Sequence, residues 1–186
     1  MGTGVHASDE TDGFKSKAKY CLKCAGRLED RIIEDKARRA CTACDFVFYQ
    51  DPKPVAGVLA VRDGNLLLVQ RGNEPKRGRW SFPTGYIDVG DSPEETAIRE
   101  AKEEANVDVQ LNSLLGVYSD KRRTVVLVIY TGTIGAGNPA AGAEALDARL
   151  FDLQDLPILA FDHDYDILTD LFSKTQEHNR TEMVTR

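Results

Sequence analysis

The segment Gly85–Val107, GYIDVGDSPEETAIREAKEEANV, constrains the fold of this chain more than any other stretch. It reads as a glycine loop running into a helix. Ser92 can cap the exposed amides, Pro93 takes the first helical position, and Glu95 completes a capping box. The helix then carries Arg99, Glu100, Glu103 and Glu104. At roughly 100° per residue the three glutamates fall within an arc of about 100°. Carboxylates that close repel one another unless a cation sits between them. Hard divalent ions such as Mg2+ take oxygen ligands, so the arc reads as a metal-holding face. Ala97, Ile98, Ala101 and Ala105 make an apolar stripe beside it, so one side packs and the other works. A solvated helix laced with Glu–Lys pairs is the alternative, but Lys102 is its only lysine.

All four cysteines lie in Cys21-Leu-Lys-Cys24 and Cys41-Thr-Ala-Cys44, with 16 residues between the pairs. That is the spacing of a four-cysteine zinc site made of two knuckles joined by a hairpin. The segment has few large apolar side chains, so the metal must supply much of its folding free energy. Two disulfides would need an oxidising compartment, to which nothing in the sequence points. A four-thiolate site has no open coordination position, so this zinc is structural. Arg27, Arg31, Lys36, Arg38 and Arg39 make the segment locally basic, but Glu29, Asp30, Glu34 and Asp35 are interleaved with them. A mixed solvated surface follows, with Phe46, Phe48 and Tyr49 read as a docking group.

Length and composition bound the remainder. A chain of 186 residues with 41% hydrophobic content can hold one medium domain and a small module. The reading divides it into a disordered polar lead (1–17), a zinc ribbon (18–50), a main domain (51–175) and a flexible tail (176–186). No apolar run approaches the roughly 20 residues of a membrane span, and the amino terminus has no hydrophobic signal region. A cytoplasmic protein without membrane contact is expected. A net charge of −6 argues against broad nucleic-acid binding. Val55–Val61 and Leu66–Gln70 read as strands joined by an Asp63-Gly64-Asn65 turn. Val107–Tyr118, Thr124–Thr133 and a short Leu150–Leu153 supply further strands, and Asp164–Phe172 a closing amphipathic helix.

The Gly85–Val107 segment resembles the Nudix box, G-x5-E-x7-R-E-U-x-E-E-x-G-U, where U is aliphatic. Gly85, Arg99, Glu100, Glu103, Glu104 and Val107 stand on pattern positions. Asp91 replaces the first glutamate, Ala101 a larger aliphatic residue, and Asn106 the final glycine. Asp91 keeps its charge but loses a methylene of reach. Asparagine is the next-best residue to glycine for a left-handed helix end. With the preceding ribbon, the stretch Tyr20–Leu171 looks like the zinc-ribbon Nudix hydrolases. The resemblance implies an α/β fold: a Nudix α/β/α sandwich with a mixed sheet, preceded by the ribbon.

The same resemblance implies a reaction. Such enzymes cleave a nucleoside diphosphate linked to another moiety into two monophosphates, using Mg2+ (or Mn2+). Glu100, Glu103 and Glu104 would hold the ion, with the backbone carbonyl of Gly85 as a further oxygen. Arg99 would orient the glutamates and pair with Asp91. A water held in line with the phosphorus is deprotonated by a carboxylate, Glu103 in first place and Glu144 as its rival. Arg71, Lys76, Arg77 and Arg79 before the box, and Lys121, Arg122 and Arg123 between two strands, can reach phosphate. Trp80 and Tyr86 can stack an adenine, although Trp80 also suits a core. Residues 112–130 lack the proline-rich array of NADH pyrophosphatases, which turns the expectation to ADP-ribose or FAD, ADP-ribose ahead. NADH or another nucleotide, and a catalytically weak nucleotide-sensing module, are the alternatives. Nudix pyrophosphatases are commonly dimers, so a homodimer is admitted.

Overall fold

The computed structural model describes residues 18–120 and 124–184, with side chains described as far as Lys174. The polar lead expected at 1–17 lies outside them. Two compact units result: one ends at Pro52, and the other is built from Lys53–Ser119 and the chain from Val125.

In the first unit, β1 (Leu28–Ile33), β2 (Lys36–Cys41) and β3 (Val47–Phe48) form an antiparallel sheet in that order. Glu34 and Asp35 turn the β1–β2 hairpin with φ of 51° and 60°, the mirror-image turn that matches strand twist. Its core is small. Cys21, Leu28 and Cys41 are buried, and Phe46 and Phe48 pack against them. Tyr49 takes the Arg38 guanidinium over its ring at 4.5 Å.

The second unit is built on a seven-stranded mixed sheet. Its strands are β4 (Lys53–Arg62), β5 (Asn65–Arg71), β6 (Trp80–Ser81), β7 (Thr84–Tyr86), β8 (Val109–Ser119), β9 (Val125–Ile134) and β10 (Ala145–Asp152). The order is β10-β5-β4-β9-β8, with β6 beside β5 and β7 beside β4; β4 and β9 run parallel and the other pairs antiparallel. Asp63 and Gly64, both at positive φ, close the β4–β5 hairpin. β10 begins five residues earlier than the expected strand at Leu150.

The near-continuous apolar runs of β4 and β5 have a plain cause: both sheet faces are covered. Ala56, Val58, Ala60, Leu67 and Val69 pack under helix α1 (Pro93–Ala105), against Ala97, Ala101 and Ala105. Val55, Leu59, Leu66 and Leu68 point the other way, into a layer with Ile167 and Leu168 of α2 (Asp162–Val184). The α/β/α sandwich is thus present, with one helix on each face. α2 outruns the expected Asp164–Phe172 and continues through Val184, into the stretch read as a tail. No glycine or proline follows Pro157, so the strongest helix breakers are missing from that stretch. Among the described residues no helix is long and apolar enough to cross a membrane.

Candidate active site

Local chemistry sets both ends of α1. Ser92, extended at φ −82° and ψ 157°, accepts from the Glu95 amide at 3.2 Å, and Glu95 accepts from the Ser92 amide at 2.9 Å. Asn106 closes the helix in the left-handed region at φ 53°, its N–H donating to the Lys102 carbonyl. Thr96, Ala97, Ala101 and Ala105 are the buried side, while Ile98 of the expected stripe is 41% exposed and turned outward. Small alanines let the helix lie close on β4, which brings its acidic side to the loop containing β7.

That approach fixes the carboxylates. Gly85, in β7 opposite Ala56 of β4, lies so near Glu100 that a Cβ there would sit 2.0 Å from the carboxyl carbon. Only glycine leaves room. Burial pushes the Glu100 carboxyl above its usual range, with repulsion from Glu103 and Glu144 adding to the rise. Glu104 is pushed up to about 7, first by burial and then by the Glu100 charge, although the Thr84 amide donates to its Oε2 at 3.3 Å. Arg99 clasps the set: Nη1 donates to Glu100 at 2.8 Å and to Glu103 at 3.1 Å, and Nη2 reaches the Tyr86 carbonyl at 3.4 Å. Its Nε stands 3.9 Å from Asp91, a long contact consistent with the missing methylene. Arg99 therefore serves mainly Glu100 and Glu103.

A fourth carboxylate arrives from far along the chain. In the loop between β9 and β10, Ala140 N–H donates to the Ala105 carbonyl and Gly142 N–H to the Glu104 carbonyl, both at 2.9 Å. The loop thus caps the end of α1. Two residues on, the Glu144 carbonyl accepts from Gly72 N–H at 3.1 Å, and its carboxylate accepts from Asn73 Nδ2 at 3.3 Å. Glu144 is close enough to raise both Glu100 and Glu104, whereas the Arg71 charge lowers Glu104. The donor set of Glu100 and Glu104 is all oxygen, partly desolvated and mutually repelling, with the exposed Glu144 carboxylate near enough to add to the repulsion. It fits a hard divalent cation, which would relieve the repulsion.

The four cysteines also converge. Their sulfurs all lie within 4.8 Å of one another, with Cys24–Cys44 at 3.4 Å, Cys24–Cys41 at 3.5 Å and Cys21–Cys44 at 3.7 Å. No disulfide joins them. Backbone N–H groups of Lys23 and Ala43 each point at a sulfur, Cys21 and Cys41, at 3.3 Å. The Ala43 donor leads in lowering Cys41 to about 7. Four sulfurs this close, presented by two Cys-x-x-Cys knuckles, fit tetrahedral zinc.

A family model described as the NUDIX domain matches residues 51–172, and one described as the Nudix N-terminal zinc ribbon matches residues 19–50. The chain belongs to the NUDIX family. It is a Nudix hydrolase with an amino-terminal zinc ribbon. An ADP-ribose pyrophosphatase of Methanocaldococcus jannaschii is 37% identical over 123 residues, covering 64% of this chain and 73% of that protein. An NAD-capped RNA hydrolase, NudC, of Vibrio atlanticus is 27% identical over 146 residues, covering 76% of this chain and 52% of that protein. The chain therefore spans only about half of the Vibrio relative. The crystal structure of a NUDIX hydrolase from Nitrosomonas europaea superposes with a TM-score of 0.76 at 32% identity, over 81% of this chain and 88% of that one.

Within this Nudix domain the other expected contacts divide. Arg71 ends β5 opposite Ala145, next to the loop of Glu144, and its charge lowers Glu104. Arg79 is exposed, and its carbonyl accepts from the Arg71 amide at 2.9 Å. Tyr86 is exposed beside Arg99, with the Lys53 ammonium 5.0 Å from its ring centre. Trp80 goes elsewhere: it packs edge-on to Phe151 at 4.7 Å in the layer facing α2. The core takes it because β6 sits between β5 and Leu159, leaving the indole on the apolar side. Lys121, Arg122 and Arg123 lie outside the described residues. Sequence reasoning passed over Thr84, Asn73 and Gly142; of these only the glycine, in a turn-rich run, carried a signal.

Proposed function

We propose that this Nudix hydrolase cleaves the diphosphate of ADP-ribose, releasing AMP and ribose 5-phosphate, with Mg2+ (or Mn2+) as its working ion and FAD as the next candidate substrate. The observation that carries the reading is the half-buried Glu100 and Glu104 pair on α1, with Glu100 against the Gly85 backbone and the charges of Glu144 and Arg71 within reach of Glu104. The name of the Methanocaldococcus relative supports the choice of ADP-ribose.

Glu100, Glu104 and the Gly85 carbonyl would hold the cation, with Glu103 contributing from the rim. The bound ion neutralises the diphosphate's negative charge, the main barrier to attack. The residues of the chain do the rest. Glu144 takes the proton of the attacking water: Asn73 holds one of its oxygens, leaving the other for that task. Glu103 is the weaker base, because its carboxylate is tied to the Arg99 guanidinium at 3.1 Å. Arg71 pairs with phosphate oxygens through its planar fork. The zinc of the four cysteines holds the ribbon together and takes no part in chemistry.

A second reading, hydrolysis of an NAD-linked diphosphate, is favoured by the Vibrio relative, although residues 112–130 carry no proline array. Incubating the pure protein with ADP-ribose, FAD, NADH and NAD-capped RNA at several Mg2+ and Mn2+ concentrations separates them. AMP from ADP-ribose at the highest kcat/KM is expected. No AMP from ADP-ribose, FAD or NADH, together with no NMN from NAD-capped RNA, would end the diphosphatase reading. The oligomeric state, for which a homodimer is one candidate, is read by sedimentation equilibrium.

A further inference from the structure

Arg71 is braced on two sides. Its Nε donates to the Pro75 carbonyl at 3.0 Å, which turns the loop after β5 back onto the guanidinium. The face of the guanidinium lies over the Phe161 ring, 5.1 Å from the ring centre. Among the described residues its two terminal nitrogens make no hydrogen bond, and the backbone sets it beside the loop of Glu144: Arg71 pairs with Ala145, and the Gly72 amide donates to the Glu144 carbonyl at 3.1 Å. A guanidinium with its Nε and its face committed keeps one edge, the two-pronged fork that matches a phosphate.

Phe161 is itself held firmly. Its amide donates to Asp164 Oδ2 at 3.1 Å, and Asp164 is only 1% exposed. Its ring lies parallel to His163, 7° between planes and 5.1 Å between centres. A buried carboxylate at the start of α2 therefore seats an aromatic ring, and that ring seats the arginine beside the carboxylate site.

Resting on the diphosphatase reading above, we infer that Phe161 is a positioning residue for substrate: it holds Arg71, through a cation–π stack, in the orientation that clamps the diphosphate. The ring touches neither the reacting atoms nor the cation. Its contribution is ordering the clamp before substrate arrives, so it acts on affinity more than on turnover.

The test is a double-mutant cycle on the full chain, read as binding of ADP-ribose whose bridging oxygen is replaced by CH2, by calorimetry with Mg2+. Removing the fork in Arg71→Ala should weaken binding by about tenfold or more, as expected of a charge-assisted pair. Phe161→Leu keeps the apolar volume but loses the π face, and should weaken binding about three- to tenfold. The double variant should bind no worse than Arg71→Ala alone, because the ring acts only through the arginine. Phe161→Trp, which keeps the face, should restore binding to within about threefold of the parent. In hydrolysis, Phe161→Leu should raise KM while kcat holds. A loss of binding in the double variant equal to the product of the two single losses overturns the inference, as does wild-type affinity in Phe161→Leu. If the analogue binds and the cycle is additive, the clamp fails while the diphosphatase reading stands. If the parent protein neither binds the analogue nor releases AMP, both fall together.

Discussion

Gly85→Ala is the sharpest probe of the site, because the structure puts a length on what it does. The new Cβ would lie 2.0 Å from the Glu100 carboxyl carbon and from Oε1, against an ordinary contact of 3.4 Å or more. The carboxylate must then move by about 1.4 Å, the difference of those distances. Gly85 is not among the residues at positive φ, so alanine suits its backbone. The obstacle is the far end of a flexible side chain, and the fold should absorb it. A cost to stability below about 1 kcal/mol corresponds to a fall in Tm of about 2–4 °C for a domain of this size. The cost to catalysis is larger. Misplacing an aligned group by about 1 Å can lower a rate about 10²-fold, or about 2.7 kcal/mol in the barrier. Displacing Glu100 should also raise the Mg2+ concentration needed for half-maximal rate. The assay is AMP release from ADP-ribose across an Mg2+ titration, beside a thermal melt followed by circular dichroism. A variant that keeps kcat/KM within threefold of the parent, with unchanged Mg2+ dependence, would refute the placement of Glu100 against Gly85 as the heart of the site.

Other expectations follow from the same contacts. Gly142→Ala would set a Cβ 1.7 Å from the Glu103 carbonyl oxygen, a backbone obstacle that cannot swing aside, so the loop must leave α1. It should lower kcat about as much as Glu144→Gln, roughly 10²–10⁴-fold if Glu144 is the base, and far more than Glu103→Gln. Equal losses for Glu103→Gln and Glu144→Gln would return the base assignment to an open choice. The Glu104 pKa rises from 4.5 unfolded to about 7 folded, so the folded state holds its proton more tightly. In EDTA its contribution is therefore fully present below pH 4.5 and is lost as pH climbs through 7, by up to about 3 kcal/mol. Glu104→Gln should flatten that loss in metal-free melts from pH 5 to 8 while reducing hydrolysis about 10²-fold or more. Elemental analysis should find one zinc per chain; its retention in full by Cys41→Ser would count against the four-thiolate site.

Much of α1 is legible from residues a turn apart. Ser92 and Glu95, Arg99 and Glu103, and Glu100 and Glu104 are separated by three or four positions, so helix geometry alone sets which side each takes. Asn106 closes the helix in the left-handed region because its side chain tolerates what other residues do not. Cys21, Cys24, Cys41 and Cys44 are readable for a similar reason: each knuckle is local, and two antiparallel strands with a tight turn join them. The Asp63-Gly64 turn belongs to the same class. Ile98 shows the limit of the approach, since a stripe drawn on a wheel does not say how wide the covering surface is.

What the sequence by itself determined, then, is the capped acidic helix, the thiol site and the family to which they point. The tertiary structure decided which other groups reach that helix. Glu144 lies forty residues beyond Glu104, and the amides of Ala140, Gly142 and Gly72 with the Asn73 side chain bring it beside the helix end. The nearness of Gly85 to Glu100 depends on alanines letting α1 settle on β4. Trp80 belongs to the core rather than to an adenine because β6 presents it to the α2 layer. Arg71 meets Phe161 from ninety residues away. Periodicity carries information over a few turns of chain, whereas these contacts depend on which faces of the sheet the helices cover. That is settled only when the whole core packs.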